Sequence, residues 1–506
     1  MTDIVLATLN ARYVHAALGL RYLRANMGEL RERTVLREFV LGTKPVAIVE
    51  RLLALAPRIV GFGVYIWNVE ETTRVIAQLK RVAPEVIVVV GGPEVSHETD
   101  EQRICALADY VVTGWGDVTF PRLCAQLLAG ETPPARILAG EQPPLKTLAL
   151  PYEEYTDEDV ARRFIYVEAS RGCPFKCEFC LSALDRMAWP FELDALLAAL
   201  ERLHARGARH FRFVDRTFNL KAAASLRVLE FFLERMDEDT FLHFELVPDH
   251  LPDALKAAIQ RFPAGSLHFE VGIQTWNPEV QARISRRQDN AQAVANLAWL
   301  RNETTALIHV DLIAGLPGET LASFGAGFDR LHALRPHEIQ VGILKRLRGA
   351  PIARHTDEWG MRYNPDPPYD VLATDAVCFT DLQRLVRYAR YWDLVGNSGR
   401  YTRGLALLFE DAPSVFDRFL GFADWFYART GKTHEIALER MYDALHAYLV
   451  DERGGDVTRV EAALLADYEA SGARGRLGFM SAGLRPVRPE PATGRSALRQ
   501  ARHLPH

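Results

Sequence analysis

RGCPFKCEFC, residues 171–180, places Cys173, Cys177 and Cys180 within eight residues. The chain has six cysteines in all. Cys105, Cys124 and Cys378 lie singly in apolar helical patterns and read as core thiols. The spacing is C-x3-C-x2-C, directly after a predicted strand, and Gly172–Cys173–Pro174 suits a tight loop. A loop of this length can wrap three thiolates around one cluster. A [4Fe-4S] cluster ordinarily takes four cysteines, so three leave one iron open. Structural metal sites are closed, whereas catalytic ones keep a vacancy. Zinc is the alternative. It needs a fourth ligand, and the nearest histidines, His204 and His210, lie beyond the next helix.

Working outward, the cysteines follow FIYVEA (164–169), the first of six apolar strands in residues 164–345. The others are FRFVD (211–215), FLHFEL (241–246), LHFEVGI (267–273), ALIHVDLIAG (306–315) and EIQVGILK (338–345), with helical patterns between them. Eight units would close a full barrel, so six predict a partial, open one. Upstream, IVLATL (4–9), VLREFV (35–40), IVGFGVYI (59–66), VIVVVGG (86–92) and DYVVTG (109–114) alternate with amphipathic segments. Five strand–helix units imply a doubly wound parallel sheet, whose ligands bind at the carboxyl ends of the strands. Residues 131–163 carry five prolines and no clear period, which predicts an extended linker. From about 360 the apolar spacing turns helical, over 371–395, 412–429, 434–451 and 457–470. The final stretch, 485–506, is rich in Pro and Arg and reads as a disordered tail. The expected domains are thus 1–130 (α/β), 131–163 (linker), 164–350 (partial six-unit TIM-like barrel) and 360–484 (all-helical).

The chain has 506 residues, 48% of them hydrophobic and 25% charged, as in a soluble globular protein of several domains. The net charge of −5 offers no basic surface for nucleic acid. The first residues lack the pattern of a signal peptide, and no apolar run reaches the ~18 residues of a membrane span. The cytoplasm is the expected place, where thiols stay reduced.

C-x3-C-x-aromatic-C at the end of the first strand of a six-unit barrel resembles the radical S-adenosylmethionine (SAM) superfamily. The resemblance covers 164–345 and implies that Cys173, Cys177 and Cys180 hold a [4Fe-4S] cluster whose free iron is chelated by SAM. Phe179 then takes the aromatic position beside the adenine. It further implies SAM contacts from Asp215 (FVDRTFN), Glu245 (FELVPD), Glu270 and Gln274 (EVGIQT), and Ile313 and Gly315 (DLIAGLPGET). Arg287 in ISRRQD is assigned to the SAM carboxylate, with Arg286 as its rival. Any one of these carboxylates can also be a simple cap for the next helix.

A Rossmann-like domain ahead of such a barrel resembles the cobalamin-binding subclass. The matching stretches are GFGVYIWN (61–68), VVVGGPEV (88–95) and DYVVTGWGD (109–117). They imply cobalamin contacts from Gly63, Tyr65, Trp67, Asn68, Gly91, Gly92, Pro93, Glu94, Thr113, Gly114 and Gly116. The Asp-x-His-x-x-Gly signature of a cobalt-ligating histidine is absent. Around His15 the aspartate is missing and the glycine, Gly19, comes one residue late. The cobalt is therefore expected to have Tyr65 or Trp67 below it. The helical region, with LKRLRGAPI (344–352) and RLVRYARYWDLV (384–395), resembles a carboxyl-terminal region of unassigned function found in this group. Arg387, Tyr388, Tyr391 and Trp392 either face a substrate or pack the helix.

The resemblance implies methyl transfer to an unactivated carbon or phosphorus. The alternatives are a radical oxidation, cyclisation or rearrangement without methyl donation, and a non-catalytic sensor. The implied partners are a small-molecule or peptide substrate and an electron donor such as flavodoxin or ferredoxin. No side chain is singled out as catalytic.

Overall fold

Strand β1, Ile4–Asn10, is buried along its whole length, as a central parallel strand covered on both faces must be. In this computed structural model, residues 2–133, 135–185, 187–479 and 502–503 are described. The expected tail 485–506 lies outside them, save 502 and 503.

The amino-terminal sheet has the order β2-β1-β3-β4-β5-β6, all parallel. Its further strands are β2 (Thr34–Val40), β3 (Ile59–Gly63), β4 (Ile87–Gly91), β5 (Tyr110–Thr113) and β6 (Ile137–Ala139). Helices α1 (Leu18–Ala25) and α5 (Thr119–Leu128) cover one face through Leu20, Phe120 and Leu123. Helices α2 (Pro45–Leu53), α3 (Val69–Val82) and α4 (Arg103–Leu107) cover the other through Ile48, Ile76 and Ile104. The order reverses at β1, which puts a switch point between β1 and β3.

The segment expected as an extended linker is built structure. It supplies β6, two short 3-10 turns and helix α6 (Asp157–Arg162). Its Asp159 pairs at 2.9 Å with the fully buried Arg21, which also holds Glu38 at 2.8 Å. Its tyrosines do a second job. The Tyr155 hydroxyl accepts from Tyr166 N at 3.1 Å and lies 3.2 Å from Tyr166 O, and Tyr152 accepts from Glu168 N at 3.1 Å. These hydroxyls satisfy an otherwise open edge of β7 (Ile165–Val167). Such capping has no period, so the sequence pattern could not show it.

The chain divides into two compact units, and the division cuts through the expected barrel domain. Residues 1–216, 345–354 and 363–370 form the first unit, and the rest forms the second. In the first unit, β7 is followed by a hairpin of β8 (Ser170–Arg171) and β9 (Trp189–Pro190), then helix α7 (Leu193–Ala205) and β10 (His210–Phe213), which pairs with β7.

In the second unit, β11 (Phe241–Leu246), β12 (Leu267–Gln274), β13 (Leu307–Ala314) and β14 (Glu338–Ile343) pair parallel in chain order. Helix α8 (Ala222–Leu233) precedes β11, and α9 (Asp253–Ile259), α10 (Pro278–Arg283), α11 (Asn290–Glu303) and α12 (Leu321–Ala333) lie between the strands in sequence. The carboxyl-terminal helices are α13 (Phe379–Leu394), α14 (Thr402–Phe409), α15 (Val415–Thr430), α16 (Leu438–Ala447) and α17 (Val457–Ala470). Tyr388, Tyr391 and Trp392 are buried, and Phe328 of α12 meets Tyr388 and Trp392 edge-on at 5.2 and 4.8 Å. Of the two readings for these aromatics, packing is the one the structure supports. Among the described residues no helix is long and apolar enough to cross a membrane.

Candidate functional site

The cysteines sit in a loop closed at its neck by the β8/β9 hairpin, where Ser170 faces Pro190 and Arg171 faces Trp189. Gly172 has φ +91°, and a Cβ there would lie 2.5 Å from Met187 O. Only glycine lets the chain enter the loop so close to the returning strand. Within the loop, Cys180 N donates to Cys177 O at 3.0 Å. Glu178, between the last two cysteines, is buried and receives a fork of hydrogen bonds from Arg354 at 2.8 and 2.6 Å. Ile352 N donates to its carbonyl at 2.9 Å. The sequence reading missed this anchor, although Glu178 lies inside the motif.

Cys173 is buried, and burial first, then the neighbouring Cys180 and Cys177, push its thiol up to about 11. Among the described residues, no three His, Cys, Asp or Glu side chains are grouped so as to hold a metal ion. Zinc requires such convergence. A cubane cluster accepts each thiolate on a different iron, so the three thiolates of one loop need not meet at a single ion.

Asp215, expected on SAM, is already engaged. Its carboxylate accepts from Ala169 N at 2.9 Å and from Ser170 Oγ at 2.6 Å, fixing the turn that leads into the cysteine loop. Burial raises its carboxyl to about 7. Phe179 is half-buried beside Cys180.

The first unit also holds a cavity of about 380 Å³ between the sheet and the helix pair α1/α5. Leu6, Leu20, Val89, Val112 and Phe120 give it apolar walls. Protein interiors pack closely, so a gap of this size beside a sheet is a place for a ligand. Gly63, Gly91, Gly92, Gly114, Gly116, Pro93 and Tyr65, seven of the residues the resemblance implies for cobalamin, line it. Gly92 has φ +115°, and a Cβ there would lie 2.5 Å from Val64 O. A glycine-edged apolar slot beside a parallel sheet fits the nucleotide tail of cobalamin.

Four expected cobalamin contacts do other work. Asn68 is buried, with its Nδ2 donating to Thr8 Oγ1, Leu9 O and Gly63 O at 3.1–3.2 Å and its Oδ1 accepting from Tyr65 N at 2.8 Å. Its amide positions the β3 loop, with its N–H groups and one oxygen lone pair engaged. Glu94 is buried against Arg348 at 3.2 Å and the Tyr369 hydroxyl at 2.7 Å. Burial raises its carboxyl despite those partners. Thr113 turns its hydroxyl toward Leu138 O on β6, at 3.5 Å. Trp67 is half exposed and stacks on Tyr65 at 4.4 Å, supporting that ring from behind. His15 is outside the cavity lining and bonds to the Tyr166 hydroxyl at 2.7 Å.

The polar end of the cavity was not expected. Arg171 lines it with Asp117 and Glu168, pairing with them at 2.8 and 3.0 Å. The guanidinium also lies 4.6 Å from the Trp115 ring centroid and 4.9 Å from that of Tyr22. Arg171 is two residues before Cys173, so one short strand borders both the cavity and the cysteine loop.

In the second unit, Glu245 on β11 is register partner to Glu270 on β12, and Glu270 to His309 on β13. The alternation that put Glu270 and Gln274 on one face breaks, because the β12/β13 register shifts between Gly272 and Gln274. Gln274 adopts φ +68°, and its amide folds back to within 2.4 Å of where a Cβ on Gly272 would lie. The two neighbouring arginines differ. Arg287 is exposed, whereas the half-buried Arg286 donates to Gly272 O and to Gln288 Oε1. Ile313 is half-buried, and Gly315, at φ +86°, is buried against Val371. The buried Glu319 accepts from Thr275 Oγ1 at 2.5 Å, and burial raises its carboxyl to about 7.

Three family descriptions match the chain. B12 binding domain matches residues 4–124, Radical SAM superfamily 167–330, and Protein of unknown function (DUF4080) 357–478. The ribosomal protein uS12 methylthiotransferase RimO of Pelobacter propionicus is 26% identical over 205 residues, 38% of this chain and 45% of that one. An uncharacterized methyltransferase of Pyrococcus horikoshii is 27% identical over 235 residues, 42% of this chain and 51% of that one. The chain spans about half the length of the curated relatives it matches. The radical SAM methyltransferase TsrM of Kitasatospora setae, solved with tryptophan and a SAM analog, aligns with a TM-score of 0.58. That alignment covers 73% of this chain and 80% of the other at 17% identity, a likeness of fold. The same protein has been solved with cobalamin and a [4Fe-4S] cluster.

Proposed function

From the premise that the chain is a cobalamin-binding radical SAM protein, with a [4Fe-4S] cluster, SAM and cobalamin as its cofactors, we propose that it transfers a methyl group to an unactivated carbon or phosphorus of its substrate. The observation that carries this reading is the occurrence, in one unit, of the three-cysteine loop and the glycine-edged cavity, bordered by the same strand β8. When bound, the cofactors supply a radical able to take hydrogen from an unreactive centre and a methyl group to replace it.

The chain's own residues position and shield. Cys173, Cys177 and Cys180 would hold the cluster, with Glu178 and Arg354 fixing the loop that carries them. Asp215 orders the approach to that loop rather than touching SAM. Arg286, which reaches the carboxyl end of β12, is the better candidate for the SAM carboxylate than the exposed Arg287. Glu245 and Glu270, register partners on β11 and β12, would contact SAM, as the family resemblance implies. Tyr65, backed by Trp67, would lie against the corrin. An external electron donor of the flavodoxin or ferredoxin kind would supply the cluster.

The test is SAM carrying a deuterated methyl group, given to anaerobic enzyme with candidate substrates. Label in the product supports methyl transfer. Accumulation of 5′-deoxyadenosine with an unlabelled product would leave the radical oxidation or rearrangement in its place.

A further inference from the structure

A cavity of about 840 Å³ lies in the second unit at the amino ends of β13 and β14, away from the carboxyl ends that carry Gln274 and Gly315. Its other wall comes from the end of α13, the turn Gly396–Ser398 and α14. Among the described residues three arginines and three histidines line it, and no carboxylate does. Glu338 is buried outside the lining, 3.7 Å from His503 Nε2, which also lies 3.1 Å from Asn397 O.

Two of the arginines lie together. Arg301, in the last turn of α11, donates from Nε to Arg335 O at 2.8 Å. Among the described residues its two terminal nitrogens have no protein partner, and neither guanidinium meets a carboxylate. Burial and the Arg335 charge both weaken the hold of Arg301 on its proton. Arg335 is the first residue past Leu334, the C-cap of α12, and has φ +53°. Glycine takes that backbone freely and other residues take it at a cost. Like charges held together on a strained turn without a counter-charge do not serve stability, and a bound dianion would complete them. Arg502 brings a third guanidinium, its Nε donating to Ser398 O at 2.8 Å.

We propose that this cavity binds a nucleoside phosphate, with its phosphate oxygens on Arg301 and Arg335 and its base against Trp392 and Phe409. The volume falls within the roughly 300–1,000 Å³ of small-molecule sites. Guanidinium forks match phosphate oxygens in pairs. The wall for the base is a cluster of rings, in which His332 meets Trp392 edge-on at 6.0 Å and Phe409 at 5.6 Å. Burial lowers the imidazole of His332 and, with Arg301 and His503, takes that of His337 to about 3, so both offer a neutral ring. Bases stack on such surfaces. The site stands at the other end of the strands from the proposed SAM contacts and does not rest on the proposed reaction.

Calorimetric titration of full-length, reconstituted protein with ADP and with inorganic pyrophosphate tests this, SAM being saturating so that its own site is filled. ADP should bind about tenfold or more tightly than pyrophosphate, and Arg301→Ala and Arg335→Gly should each weaken it about tenfold or more. Glycine suits the left-handed backbone, so Arg335→Gly should unfold no earlier than the parent chain and separates a lost contact from a lost fold. Should Arg301→Ala fail to fold, Arg335→Gly decides alone. Absence of ADP binding, binding unchanged by Arg335→Gly, or pyrophosphate bound as tightly as ADP overturns the proposal.

Discussion

Arg286 and Arg287 are adjacent and chemically identical, so no spacing argument separates them. The fold does, because only Arg286 reaches the carbonyl of Gly272. On the proposed assignment, Arg286→Ala should weaken SAM binding about tenfold or more, the worth of a charge-assisted hydrogen bond. Arg287→Ala should leave binding within about twofold. Calorimetric titration of reconstituted protein reads both, and equal losses would reject the distinction. A second expectation concerns pH. Asp215 and Glu319 have carboxyls raised to about 7, so the folded state holds protons there that the unfolded chain has lost. Stability should therefore fall as pH rises from about 4 to 7. Asp215→Asn should flatten part of that slope in chemical denaturation, and an unchanged slope would refute its role. His309, raised to about 10, acts in another window, its contribution holding below 6.5 and fading as pH climbs through 10. The residue types at these positions were legible in the sequence. Which atoms were already spoken for, as in Asn68, Glu94 and Asp215, was not, because their partners lie far along the chain.

Strands and helices were the most readable level, since parallel strands buried on both faces leave long apolar runs. What escaped were elements whose stability is not periodic. The supposed linker is held by Tyr152, Tyr155 and Asp159, each acting on a distant backbone or charge. Tyr155→Phe should leave the Tyr166 amide without its acceptor and cost about 1–3 kcal/mol in denaturant unfolding. The slip at Gly272–Gln274 is of the same kind, because a bulge inverts the facing of every later residue without altering composition. The cavity beside α1 and α5 gives the sharpest expectation at this scale. Val112→Phe should fill it from β5, lowering cobalamin binding about tenfold or more while iron content stays unchanged. Retained cobalamin would show that the tail lies elsewhere.

For the whole molecule, the sequence disclosed the order of its parts more readily than their limits. LKRLRGAPI follows the last barrel strand, yet Arg346 and Arg348 are joined to Glu98 and Glu94 of the amino-terminal domain at 2.8–3.2 Å. A composition scan cannot see a segment that returns to an earlier domain. The account as a whole depends on one open iron in a cluster held by three cysteines. Electron paramagnetic resonance of the anaerobically reconstituted, reduced protein tests this directly. It should show a [4Fe-4S] signal that shifts when SAM is added, with about four irons per chain. Both signal and iron should be lost when Cys173, Cys177 and Cys180 are replaced by alanine. A signal indifferent to SAM, or one that survives the triple replacement, would contradict the account.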